Sequence, residues 1–244
     1  SDLNYDIIYK VCHIQFMCRN ESCVMDQSRV PLLERMIQHA EKRNVSFHVP
    51  GHKGGRSYKE GLVQSYYQSL LPLDLTEISG LDDLHDAEGV IKEAQELAAE
   101  LFGADHTSFL VGGSTSGNLS LILSICNPGD LILVDRNVHK SVIHGLMLAR
   151  AKAVFVDSEL DSEFGIPLGI RFNQLQHMLK TYPEAKAVFL TNPNYYGVGR
   201  ELGPVIEMVH QYRIPVLVDE AHGAHYGFHP ALPARALMAG ADAV

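Results

Sequence analysis

The segment VLVDEAHGAHYG, residues 216–227, sets an acidic pair after an apolar run and then spaces two histidines three residues apart. These residue types suit a nucleotide-hydrolysing Asp-Glu-Ala-His box, a metal site, or a carboxylate that binds a charged group. A nucleotide hydrolase also needs a Gly-x4-Gly-Lys-Ser/Thr loop to cradle phosphates. The sequence contains no Gly-Lys dipeptide, which excludes the first possibility.

A metal site at His222 and His225 is the weaker of the two remaining hypotheses. A zinc site needs about four ligands, and no pattern in the sequence supplies the others. Histidine is also abundant, with 13 in the chain, so one such pair is unremarkable. We therefore expect no metal here.

Asp219 follows the apolar run directly, where a parallel strand would end. A buried carboxylate at such a position favours the charged form of a facing ring nitrogen, as pyridoxal 5'-phosphate chemistry requires. A carboxylate there can equally cap a helix or anchor a loop. The position of Asp219 alone leaves both interpretations open.

A second candidate is GGSTSGN, residues 112–118, which follows an apolar run and precedes a helical pattern. Ser114, Thr115 and Ser116 would place hydroxyls and free N–H groups at a helix N-terminus, which favours a phosphate. The same residues are also ordinary N-caps. This motif by itself does not decide between the two.

Apolar periodicity predicts the elements that position these residues. Short runs rich in Val, Leu, Ile and Phe alternate with helical patterns, which indicates an α/β fold, a three-layer α/β/α arrangement with a mostly parallel sheet. Ligands bind such sheets beyond the carboxyl ends of the strands. We predict strands at 108–111, 131–134, 153–156, 187–190 and 215–218, and helices at 32–40, 88–102, 115–125, 139–150, 172–181 and 201–212.

Composition narrows the class of protein further. The chain is 46% hydrophobic, which suffices for a core, and its apolar runs are too short to span a membrane. A net charge of −9 argues against binding nucleic acid. Three of the four cysteines lie in the first 23 residues without disulfide or zinc spacing, which favours a cytoplasmic protein.

The chain divides into three predicted segments. Residues 1–24 differ in composition from the rest and are interpreted as a leader or an added segment. Residues 25–80 are predicted to form an N-terminal helical arm and loop, and 81–244 a large ligand-binding domain.

In the order in which they occur, several motifs resemble those of the Orn/Lys/Arg decarboxylase family, which are fold-type-I pyridoxal-phosphate enzymes. The resemblance runs from about residue 29 to the last residue and is nearest to the short biosynthetic bacterial branch. The motifs are HVPGHKGG, LTEISGLDDLHDAEGVIKEAQELAAELFGA, GGSTSGN, DRNVHKS, TNPNYYG and VDEAHGAH.

The resemblance implies a fold like the large domain of pyridoxal-phosphate-dependent transferases, here incomplete, and a role for each matched residue. Ser114, Thr115 and Ser116 would bind the cofactor phosphate. His139 would stack on the pyridine ring, Asp219 would pair with the ring nitrogen, and His222 would lie close to the cofactor.

The implied activity is decarboxylation of arginine, lysine or ornithine to its amine, in polyamine metabolism, by a homodimer or higher homo-oligomer. Arginine is slightly preferred on the same resemblance. His52, Asp82 and Asp83 are candidates for the substrate end, although loop and solvated roles explain them about as well.

The family's Schiff-base lysine is expected in a Ser-x-His-Lys stretch just beyond GADAV, residues 240–244. We therefore expect the chain to be a fragment of a longer enzyme or a truncated, inactive product. The alternatives are a non-catalytic paralogue that binds cofactor or a partner subunit, and another fold-type-I enzyme such as an aminotransferase.

Overall fold

The computed structural model describes residues 25–58 and 60–244. The predicted leader at 1–24, with Cys12, Cys18 and Cys23, lies outside these residues. Within the described part of the chain, every helix is too short or too polar to cross a bilayer.

Contacts divide the described residues into two compact units, one ending at Phe109 and the other beginning at Leu110. The first unit is helical. Its longest helix ends at Gly103, whose left-handed φ of 76° is the usual way to stop a helix. Its elements are α1 (Pro31–Glu41), α2 (Leu62–Tyr67), a 3-10 turn (Leu71–Leu73) and α3 (Val90–Phe102). The predicted boundary at 80/81 stays a prediction.

The second unit alternates helices and strands. Its elements are α4 (Gly113–Ile125), β1 (Leu131–Asp135), α5 (Lys140–Ala149), β2 (Lys152–Val156), β3 (Ser158–Leu160), β4 (Pro167–Ile170), α6 (Phe172–Thr181), β5 (Val188–Thr191), α7 (Gly203–His210) and β6 (Val216–Asp219). Four of the strands form a parallel sheet of order β2-β1-β5-β6. A separate antiparallel pair, β3 and β4, lies between β2 and α6 in the chain.

Both faces of the sheet are buried, which explains why its strands are continuous apolar runs. Phe189 and Leu217 pack with α4 and α5 on one face. Val188 and Val218 pack with α6 and α7 on the other. The predicted three-layer α/β fold is therefore confirmed.

This alternation also assigns the ends of the strands to a face. Side chains two residues apart on a strand share a side of the sheet. Thr191 and Asp219 therefore lie on the same side as Phe189 and Leu217, toward α4 and α5.

The predicted strand at 108–111 is wrong. Residues 104–110 have no regular secondary structure, and Val111 lies in a turn and is 90% exposed. A strand requires a hydrogen-bonded neighbour, and no described strand pairs with this segment. The remaining predicted strands and helices are present, with ends shifted by at most two residues. The β3–β4 pair and the short helices at 62–67 and 71–73 were not predicted, because segments this short leave little periodicity.

Candidate active site

Three neighbouring strands of the sheet end in polar residues at one edge. β1 ends at Asp135, β5 at Thr191 and β6 at Asp219. Thr191 and Asp219 are direct partners in the parallel register. These three strand ends therefore place polar side chains at one edge of the sheet.

Asp219 is buried at this edge, with 7% of its surface exposed. Its carboxylate accepts hydrogen bonds from Asn118 Nδ2 at 2.8 Å and from the Ala221 backbone N–H at 3.1 Å. Both donors are neutral, and no described residue forms a salt bridge with it. A buried carboxylate without a cationic partner is costly, so this site favours a positively charged group from a ligand.

A hydrogen-bond network connects Asp219 to the start of α5. Asn118 Nδ2 donates to Ser141 Oγ at 2.9 Å as well as to Asp219. Ser141 Oγ lies 2.8 Å from His139 Nδ1, and the Ser141 backbone N–H donates to the same nitrogen at 3.2 Å. His139 is thereby the N-cap of α5. The structure thus joins two of the predicted site residues, His139 and Asp219, through two that were not predicted.

The N-terminus of α4 is open. No side chain caps it, and Ser114 and Thr115 in its first turn are exposed. Ser116 is partly committed, because its hydroxyl donates to the Gly113 carbonyl at 2.8 Å. A Cβ at Gly112 would lie 2.8 Å from Ser116 Oγ, so a larger residue there would displace the Ser116 side chain. The first-turn amides have no partner inside a helix, and their dipoles favour an anion.

The spacing of these two features suits one elongated ligand. Ser114 and Asn118 are four residues apart on α4, which corresponds to about 6 Å along the helix axis. The distance is comparable to that between the phosphate arm and the ring nitrogen of pyridoxal 5'-phosphate. These groups therefore fit the cofactor: an open helix N-terminus for its phosphate, and a buried carboxylate without a cationic partner among the described residues for its ring nitrogen.

The loop after β5 is held by its own asparagines. Asn192 is buried and pairs with the backbone of Arg200, while Asn194 Oδ1 accepts from the amides of Tyr196 and Val198 at 2.9 and 3.0 Å. These hydrogen bonds stabilise the loop. The asparagines of TNPNYYG are therefore structural.

The predicted residue His222 lies in the loop after β6 and is exposed. Its ring contacts Tyr195 edge-on, with centroids 5.8 Å apart. His225 instead contacts Tyr226, at 5.0 Å. The two histidines thus face different aromatic neighbours, and the described residues include no cluster of three or more His, Cys, Asp or Glu that could hold a metal.

Two other acidic groups at this edge are distinct from Asp219. Burial raises the pKa of Asp135, which accepts hydrogen bonds from the Asn137 amide at 3.0 Å and Ser158 Oγ at 3.3 Å. Burial also raises the pKa of Glu220, which accepts from the Ala236 amide at 2.9 Å. Both carboxyls are used to hold loops.

The tentative substrate residues lie in the first unit. His52 pairs with Asp74 at 3.0 Å, and Asp83 accepts a single local bond from the His85 amide. The Asp82 carboxylate caps the start of α3 and accepts from backbone amides of residues 83, 88, 89, 91 and 92. Asp82 thus has an evident structural role, and the substrate role of all three stays a prediction.

Comparison with protein families agrees with this geometry. The model for the major domain of Orn/Lys/Arg decarboxylases matches residues 30–244. The chain belongs to the Orn/Lys/Arg decarboxylase family. The resemblance identified from the sequence motifs is confirmed.

Two curated relatives of this chain come from Bacillus subtilis. Uncharacterized protein YaaO is 49% identical over 214 residues, which cover 88% of this chain and 44% of YaaO. An arginine decarboxylase is 43% identical over 218 residues, which cover 89% of this chain and 44% of that enzyme. The chain therefore spans less than half the length of these relatives.

Among solved structures, the constitutive lysine decarboxylase of Escherichia coli matches with a TM-score of 0.67 and 25% identity. The match covers 82% of this chain and 30% of the lysine decarboxylase. The fold of the described chain is thus that of the corresponding part of a decarboxylase of this family.

Sequence reasoning missed Asn118 and Ser141. Asn118 is the last residue of GGSTSGN, and its position one turn after Ser114 was the available signal. Ser141 follows His139 by two residues, the spacing of an N-cap and its partner amide. Neither spacing shows that α4 and α5 pack together, which only the fold reveals.

Proposed function

We propose that the protein binds pyridoxal 5'-phosphate at this edge of the sheet and decarboxylates a basic amino acid. The observation that carries the proposal is the buried Asp219 carboxylate, which has two neutral donors and no described cation. It lies against the helix whose open N-terminus is suited to a phosphate.

In this proposal the α4 N-terminus binds the cofactor phosphate through Ser114, Thr115 and Ser116. Asp219 holds a proton on the ring nitrogen, because a carboxylate within hydrogen-bond distance favours the charged ring. His139 covers the ring, and His222 lies beside it with Tyr195. When bound, the cofactor supplies an electron sink for the bond that breaks at the substrate α-carbon.

The residues of this chain then act by binding and orientation. Packing of α4 and α5 keeps the environment of Asp219 dry, which strengthens its attraction for a charged ring. Because the chain spans less than half the length of its curated relatives, the assays below use the protein as its gene encodes it.

The proposed substrate is arginine, with lysine and ornithine as alternatives, and the proposed role is in polyamine metabolism. The arginine decarboxylase relative at 43% identity supports arginine. The lysine decarboxylase LdcA of Pseudomonas aeruginosa is 32% identical over 225 residues and supports lysine as an alternative substrate. We also propose a cytoplasmic homodimer or higher homo-oligomer, since fold-type-I decarboxylases build their sites between subunits.

The test is product identification by mass spectrometry. The protein is incubated with pyridoxal 5'-phosphate and, separately, with arginine, lysine and ornithine. We expect the amine, with agmatine from arginine formed fastest. A keto acid would identify an aminotransferase instead, and cofactor binding without any product would favour the non-catalytic alternative.

A further inference from the structure

The directions of the hydrogen bonds around Asn118 are fixed at both ends of the network. At one end the Asp219 carboxylate accepts, so the Asn118 atom that faces it at 2.8 Å is the amide nitrogen. At the other end the Ser141 backbone N–H can only donate, so His139 Nδ1 accepts it at 3.2 Å. Every bond between these two ends must agree with them.

Only one arrangement satisfies both ends. Asn118 Nδ2 has two hydrogens, and it directs one to Asp219 and the other to Ser141 Oγ, 2.9 Å away. The Ser141 hydroxyl, which accepts from Asn118, is left to donate to His139 Nδ1 at 2.8 Å. Because Nδ1 is an acceptor, the proton of the neutral His139 ring lies on Nε2.

Burial makes this network rigid. Asn118 is 5% exposed and Ser141 is 1% exposed, so water does not readily replace either partner. A buried donor that loses its acceptor bears the full desolvation cost, which holds the amide between its two acceptors. The positions of Asp219 and His139 are therefore coupled through one side chain.

We infer that Asn118 is a positioning residue: its amide orients the Asp219 carboxylate and, through the Ser141 hydroxyl, reinforces the Nε2-protonated tautomer of His139 that the Ser141 backbone N–H favours. This inference rests on the proposed function for its consequence in cofactor binding, but the tautomer belongs to the unliganded protein. Asn118 thus orients two residues of the proposed site: Asp219, which would face the ring nitrogen of the cofactor, and His139, which would face the plane of the ring.

The first test is nitrogen NMR of the unliganded protein labelled with [15N]histidine, with the His139 signal assigned by its loss in His139→Gln. We expect the Nε2-protonated tautomer in the wild type. Ser141→Ala should raise the fraction of the other tautomer, while Ser141→Thr, which keeps the hydroxyl, should restore the wild-type signal. A wild-type His139 protonated on Nδ1 would overturn the inference.

The second test is the affinity for pyridoxal 5'-phosphate, measured by absorbance titration. Asn118→Leu keeps the shape of the side chain and removes both donors. We expect its dissociation constant to rise by about 10- to 100-fold, the loss of one hydrogen bond to a charged group. The matched control is Ser124→Ala on the exposed side of α4, whose hydroxyl donates to the Leu121 carbonyl of its own helix.

The ring nitrogen of [15N]pyridoxal phosphate gives a readout that a packing defect would not change. We expect bound cofactor to be protonated there in the wild type and less so in Asn118→Leu. Wild-type affinity and ring protonation in Asn118→Leu would refute a positioning role. If the wild type itself bound no cofactor, the proposed function would fail, and the His139 tautomer would still decide whether the network is as described.

Discussion

Replacing Asp82 with asparagine tests whether this residue serves the fold of α3. Its Oδ2 accepts from the amides of Gly89 and Ile91 at 2.8 and 2.9 Å, and Oδ1 from that of Glu88 at 3.0 Å. In Asp82→Asn one acceptor becomes an NH₂ group that faces backbone donors. The carboxylate also complements the positive end of the helix dipole, and the amide cannot.

The pKa of Asp82 gives the size of the effect. Burial acts to raise it, but hydrogen bonds from the amides of Glu88, Asp83, Gly89 and Ile91 outweigh burial and lower it from 3.8 to about 2. That difference corresponds to about 2 kcal/mol at most, and solvent screening at this partly exposed group places the effect at about 1–2 kcal/mol. Losses of this size are typical for removal of a helix cap.

The pH dependence follows from the direction of the shift. Because the folded-state pKa is lowered, the ionised carboxylate stabilises the fold at pH above about 4 and loses this effect as pH falls toward 2. We therefore expect Asp82→Asn to lower the free energy of unfolding by about 1–2 kcal/mol at pH 7 and by less at pH 3.

The assay is urea unfolding of the cofactor-free protein, combined with hydrogen exchange of the α3 amides to locate the effect. Asp83→Asn is the matched control, because among the described residues the Asp83 carboxylate accepts one local bond, from the His85 amide. Equal effects of the two variants, or a pH-independent difference between Asp82→Asn and the wild type, would refute the reasoning.

Three further predictions concern the second unit. Thr191→Val should raise the free energy of unfolding by about 1 kcal/mol, since it removes a buried hydroxyl that has no hydrogen-bond partner among the described residues. The control Thr181→Val removes an exposed hydroxyl that donates to the His177 carbonyl, and it should not raise the free energy of unfolding. Gly145→Ala should lower the free energy of unfolding by about 1–3 kcal/mol despite the better helix propensity of alanine, because the new Cβ would lie 2.8 Å from Ile122 Cδ1. Urea unfolding measures the change in each of these variants. Burial raises the pKa of the Cys126 thiol to about 11, so its alkylation, followed by mass spectrometry, should require unfolding; rapid labelling in the folded protein would contradict this.

Much of the fold was predictable because the strands are buried on both faces and their apolar runs stand out from the helical periodicity. The helix at 172–181 was predicted with its observed ends, Phe172–Thr181. The segment at 108–111 is equally apolar, yet it is not a strand, because strand formation depends on a partner that local sequence does not specify.

Part of the site was predictable because ligand-binding residues of parallel sheets lie beyond the carboxyl ends of the strands. Asp219 and His139 were predicted from their motifs, and the structure connects them. The connection itself was not predictable, because it requires α4 and α5 to pack side by side so that Asn118 and Ser141 meet across 23 residues of sequence. The capping role of Asp82 was not predicted, because the amides that it accepts from lie up to ten residues further along the chain.

The most direct test of the account compares the wild type with Asp219→Asn in release of labelled CO₂ from carboxyl-labelled arginine, lysine and ornithine. The variant keeps the shape of the side chain and removes its charge. We expect the wild type to release CO₂ from at least one of the three, and Asp219→Asn to be at least about 100-fold slower, as for loss of a preorganised electrostatic contact. Release at the wild-type rate by Asp219→Asn, or none by the wild type with any of the three, would contradict the account.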